Sequence, residues 1–156
     1  INGRTVSWFS LPIFKVDAEV LRITESLGSC ECQQTVESLA ILQALRLWKT
    51  SWATVRVQLI VRSDNVTALF MTADLKGRGH GVRTVARELA LDLGDGSFAP
   101  DLVVHLPGVD NDIADALSRK FQPNKAFTLP AALSGVSEAV VPETSILWWE
   151  TFQCAN

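Results

Sequence analysis

Glu37, Asp64 and Asp115 are the residues whose types and settings could do chemistry. Asp64 ends the stretch Val55-Arg56-Val57-Gln58-Leu59-Ile60-Val61-Arg62-Ser63-Asp64, which alternates apolar and polar residues before running into three apolar ones. That pattern predicts a mostly buried β-strand. A carboxylate at the carboxyl end of such a strand stands where α/β sheets place their ligands. Glu37 shares a helical stripe with Ala40, Ile41, Ala44 and Trp48. Each of the three also has an ordinary explanation. Glu37 can favour a helix dipole from the first turn, for about 0.3–1 kcal/mol. Asp64 can cap the helix that follows it. Asp115 can pair with Arg119 at i,i+4, for about 0.2–0.5 kcal/mol. Together they form a different pattern. Clustered carboxylates repel one another, so a cluster implies cations. Carboxylates without His or Cys companions select hard ions, Mg²⁺ or Mn²⁺. Two such ions ~3.5–4 Å apart clamp the attacking and leaving oxygens of an in-line phosphodiester hydrolysis.

The elements that must position these groups read as an α/β layer fold. Thr5–Phe9 alternates like a strand. Val20, Leu21 and Ile23 suggest a second, short one. Gln33–Lys49 has helical spacing and good helix formers. After the Val55 strand and a short helix over Val66–Met71, Gly77, Gly79 and Gly81 mark a loop. A helix over Val82–Leu93 follows and ends at Gly94-Asp95-Gly96. Asp101–Leu106 is a strand stopped by Pro107-Gly108, and Asp110 or Asn111 caps a helix to about Arg119. Residues 1–120 form the expected domain. Residues 121–156, punctuated by Pro123, Pro130 and Pro142 and carrying Trp148-Trp149, read as a connector or packing tail.

Composition sets outer limits. The chain is 47% hydrophobic and 20% charged, which fits a globular domain with a core, and no apolar run reaches the ~20 residues of a membrane helix. A net charge of −3 rules out a polycation. Cys30, Cys32 and Cys154 are odd in number and have no metal-cage companions, so they read as free thiols of a reducing compartment. Lys76, Arg78, His80, Arg83 and Arg87 form the one basic concentration. It is either a solvated helix face balanced by Glu88 and Asp92, or a surface that tracks phosphates. Trp8, Trp48 and Trp52 read as core.

Val61-Arg62-Ser63-Asp64-Asn65, followed by His105-Leu106-Pro107-Gly108-Val109-Asp110-Asn111-Asp112-Ile113-Ala114-Asp115-Ala116-Leu117-Ser118-Arg119, resembles the ribonuclease H domain of retrotransposon reverse transcriptases. The flavour is that of LTR or tyrosine-recombinase-type elements. Thr35–Leu45 looks like the family's first helix, and Gly3–Ser10 is similar to its second strand. The resemblance implies a mixed sheet flanked by helices and a four-carboxylate site binding two Mg²⁺. It also implies cleavage of the RNA strand of RNA–DNA hybrids and an upstream reverse transcriptase domain in the same intracellular polyprotein. It assigns Glu37, Asp64 and Asp115 to catalysis and metal binding, with Asn65, Lys76, Arg78, Arg83 and Arg87 toward the substrate. The family's first aspartate lies on a central strand that precedes Gly3–Ser10. The chain as given is therefore expected to lack that strand and to cleave hybrids poorly alone. Asp17 does not replace it, because two further strands would not fit before Glu37. His105 reads as structural, and His80 as within reach of substrate. A non-catalytic module of the same fold and another Mg²⁺-dependent α/β nuclease or phosphoesterase are the alternatives.

Overall fold

The computed structural model describes residues 5–25, 27–51, 57–94, 98–124 and 126–150. They build an α/β arrangement whose sheet has two parallel strands. The chain divides into two compact units, one of Ile1–Ile13 with Pro107–Glu143 and the other of Phe14–Leu106 with Thr144–Asn156. This partition differs from a division at residue 120, since residues of the expected tail enter both units.

The larger unit opens with α1 (Lys15–Val20) and a 3₁₀ turn at Ile23–Glu25. A strand was expected there from the β-branched residues. Val20, Leu21 and Ile23 are instead all buried, which the strict alternation of a half-buried strand does not allow. Next comes α2 (Cys30–Leu47), where the Ser29 hydroxyl accepts the Cys32 N–H at 3.1 Å as a cap. The helix begins earlier than its apolar periodicity shows, because a polar first turn carries no such signal. β1 (Val57–Ser63) pairs in parallel with β2 (Phe98–His105), with Val61 opposite Val103 and Ser63 opposite His105. Parallel strands need a crossover, which α3 (Val66–Asp74) and α4 (His80–Gly94) supply. Leu59, Val61 and Ser63 are half-buried while Ile60 and Arg62 are exposed, so β1 buries one face rather than most of its surface. The start of the expected strand, Val55-Arg56, lies outside the described residues, as do Trp52, Asp95, Gly96 and Cys154.

The core of this unit packs Leu39, Leu42 and Leu45 of α2 against Met71 of α3 and Val82, Val85 and Leu89 of α4, with Val20, Leu21 and Trp149. At roughly 1.5–3 kcal/mol per fully buried side chain, this cluster is what holds α2 in place. Gly81 is required at the α2–α4 approach, since a Cβ there would overlap the Thr35 side chain.

In the smaller unit, the expected strand at Thr5–Phe9 is reduced to one parallel bridge between Trp8 and Glu138. The Lys120 ammonium sits 2.6 Å from Glu138 and over the rings of Trp8, Phe121 and Phe127. α5 (Asp112–Ser118) follows a 3₁₀ turn at Gly108–Asp110, and Asn111 occupies its cap position without a side-chain cap bond. The described sheet holds none of the further strands that a mixed, ribonuclease H-like sheet would contain. Among the described residues no helix is long and apolar enough to cross a membrane.

Candidate functional site

Glu37 and Asp64 are brought together within the larger unit. Because α2 starts at Cys30, Glu37 lies two turns inside the helix, beyond reach of the terminal dipole. The first-turn acid is Glu31 instead. Glu37 Oε1 accepts from Gln33 Nε2 at 3.0 Å, one helical turn earlier. Its other oxygen, Oε2, is buried and makes no hydrogen bond. Burial pushes the Glu37 carboxyl above its ordinary range. The Gln33 and Asn65 amides oppose that shift, and the negative charge of Asp64 adds to it. A carboxylate that is desolvated, faces a second carboxylate and keeps one oxygen unsatisfied has the environment of a functional group.

Asp64 reaches this position because the capping task falls to its neighbour. Asn65 is the N-cap of α3, and its Oδ1 accepts the Ala68 N–H at 3.1 Å. The Ser63 hydroxyl accepts the Asn65 N–H at 3.0 Å and stiffens the strand-to-helix corner. Asp64 is exposed at that corner, at the carboxyl end of the parallel pair. Asn65, expected at the substrate, caps α3 and also bonds toward Glu37. The corner also receives the Leu106 N–H, which donates to the Ser63 carbonyl at 2.9 Å.

Asp115 belongs to the other compact unit. There it pairs with Arg119 at 2.7 Å, one helical turn away, with both side chains about half exposed. Among the described residues, no group of three or more His, Cys, Asp or Glu gathers as a metal cage.

The basic residues are better placed than their sequence neighbours imply. Glu88 and Asp92, expected to balance them, are buried and face Arg46 instead, at 2.7 Å each. That leaves Lys76, Arg78, Arg83 and Arg87 exposed and without an ion pair among the described residues. Lys76, Arg83 and Arg87 line a concavity of about 230 Å³ with Leu75, Gly77 and Ala86. Leu75 adopts the left-handed conformation, φ +54°, that turns the chain out of α3 at its edge.

The two histidines sit at the ends of different elements. His80 begins α4, and its Nε2 lies 3.0 Å from the Val20 carbonyl, so it is tied to the fold rather than offered to substrate. His105 is exposed at the end of β2, on the strand before Pro107. Cys30 and Cys32 are free thiols.

Neither the Arg46–Glu88–Asp92 cluster nor the burial of Asp17 is visible in the sequence. No local spacing connects Arg46 with residues more than forty positions away. The available signal was weaker: two acids one turn apart on the otherwise apolar face of α4. No family model, curated protein or solved structure matches the chain.

Proposed function

We propose that this chain is a ribonuclease H-like module of a retroelement reverse transcriptase, hydrolysing the RNA strand of RNA–DNA hybrids with the help of divalent metal. The observation that carries the reading is the convergence of Glu37, from the middle of α2, and Asp64, from the end of β1, with one buried Glu37 oxygen left unpartnered. The donor set fits a hard cation: two carboxylates, at least one of them short of a partner, with an amide beside them. Glu37 and Asp64 would hold Mg²⁺ or Mn²⁺, which when bound polarises a phosphoryl oxygen and lowers the pKa of water.

The chain's own residues supply positioning. The Ser63–Asn65 corner holds Asp64 out of the capping role, and Gln33 orients Glu37. Lys76, Arg83 and Arg87 offer three cations to backbone phosphates. Intracellular action beside a polymerase domain follows from the same reading.

Two measurements test it. In the chain itself, Mn²⁺ should broaden the NMR signals of residues around Glu37 and Asp64, and Asp64→Asn should remove that broadening. For activity, a labelled hybrid in Mg²⁺ is given to this chain and to a version extended upstream through an aspartate-bearing strand. Cutting by the extended form that Asp64→Asn and Glu37→Gln each abolish supports the reading. Folded proteins that neither broaden nor cut make it a non-catalytic module. Hydrolysis of small phosphoesters without hybrid selectivity points to a phosphoesterase.

A further inference from the structure

Asp17 is fully buried, and its partners lie near the other end of the chain. Its Oδ1 accepts the Thr144 hydroxyl at 2.8 Å and the Trp149 indole N–H at 3.1 Å, while Oδ2 is buried with no partner. The same short segment is held a second time. Arg46 Nη1 donates to the Trp148 carbonyl at 2.7 Å, and its guanidinium lies 4.3 Å from the Trp148 ring centroid. The Glu150 N–H donates to Glu88 Oε2 at 2.9 Å. Between these fixings Trp149 is fully buried in the core, packed edge-to-face on Trp148, while Ile146 and Leu147 face solvent.

How the segment is attached matters more than how many bonds it makes. Among the described residues its loop backbone-to-backbone bonds are local, from Trp148 N–H to the Ser145 carbonyl and from Trp149 N–H to the Ile146 carbonyl. Among the described residues no sheet ladder ties it down. It is fixed by one inserted ring and by side chains of α1, α2 and α4. Segments held in this way open below the free energy of global unfolding.

We propose that Thr144–Glu150 is a releasable strap, seated by Trp149 and latched at Asp17, whose opening empties the space between α1, α2 and α4 and frees α2 to shift against α4. The protonation state of Asp17 sets the latch. Burial raises its carboxyl above the ordinary range, and Thr144, Trp149 and the Phe14 N–H offset this only in part. The groups acting on Asp17 are these neutral donors. The nearby charges of Arg46, Glu88 and Asp92 are engaged with one another and with the Trp148–Glu150 backbone. A carboxyl whose pKa is raised in the closed state favours closure below its ordinary value, and that contribution is lost as pH rises through the raised value. The strap therefore closes in acid and loosens as pH rises. This holds whether or not the chain is a nuclease.

Hydrogen exchange with peptide-level readout tests it on the full chain from about pH 4 upward, corrected for intrinsic exchange. Peptides covering 144–150 should lose protection by up to about tenfold per pH unit across the titration window. Peptides from Leu39–Leu45 should hold theirs. Asp17→Asn, which keeps the acceptor and removes the titration, should flatten the profile. Thr144→Val should lower strap protection selectively at neutral pH. Strap and core peptides that exchange together at every pH overturn the proposal. So does an undiminished pH dependence in Asp17→Asn, or unchanged strap protection in Thr144→Val.

Discussion

Helix α2 carries two charged sites that have been treated in opposite ways. Toward its carboxyl end, Arg46 is largely buried between Glu88 and Asp92. Burial opposes its charge, but the two carboxylates outweigh that and hold the guanidinium above its ordinary pKa. Arg46 Nε, Nη1 and Nη2 all find acceptors. Nearer its start, Glu37 faces Asp64, a charge of the same sign, and one of its oxygens has no partner. The first site is complete without any other molecule. The second is a negative site that a cation would complete. The comparison teaches that satisfaction, rather than burial, separates a structural charge cluster from a candidate active one.

The largest expected break in that comparison is at Arg46. Arg46→Ala strands two buried carboxylates and should destabilise the chain by about 3–5 kcal/mol in urea unfolding. A cost near zero would mean the cluster is not structural. The next effect is on substrate binding. Replacing Lys76, Arg83 and Arg87 together with Ala should reduce the slope of log affinity for an RNA–DNA hybrid against log salt by up to about three. An unchanged slope would return these residues to an ordinary solvated surface.

Glu37→Gln sharpens the contrast through pH. A raised folded-state pKa means that Glu37 contributes stability below its ordinary value and loses that contribution as pH rises through the raised one. The Gln variant should therefore gain thermal stability relative to the native chain as pH increases, while losing metal response. A melting temperature that stays below the native one at neutral pH would place Glu37 with the structural charges. The smallest effect belongs to Asp115. Loss of its exposed pair with Arg119 should cost only about 0.2–0.5 kcal/mol. If cleavage by an extended form vanishes in Asp115→Asn while stability scarcely changes, the residue serves catalysis and not the fold.

α2, β1, α4 and β2 were legible because their periodicity and breakers are local. Leu39, Leu42 and Leu45 recur at helical spacing, and glycines or prolines bound the others. Glu37 and Asp64 were legible as a pair for a similar reason, since a carboxylate after a strand and one on the preceding helix are recognisable from type and order. The misreadings fell where two patterns compete. Val20, Leu21 and Ile23 have strand-like chemistry, yet the packing of α1 against α2 and α4 takes all three inside. Thr5–Phe9 alternates, but its pairing with Glu138 lies far along the chain.

The sequence by itself determined the order of the main elements, the acids at the carboxyl end of β1 and on α2, and the basic stretch beside Gly77 and Gly79. Tertiary structure alone decided which acids were already satisfied. Glu88 and Asp92 read as companions of Arg83 and Arg87 because they share a helix, but α4 turns them inward to Arg46. Asp17 has no local partner in the sequence; Thr144 and Trp149 satisfy only its Oδ1, while Oδ2 stays buried without a partner. Hydrogen-bond satisfaction depends on atoms brought within about 3 Å of each other, and along the chain those atoms are separated by tens of residues that no local pattern spans.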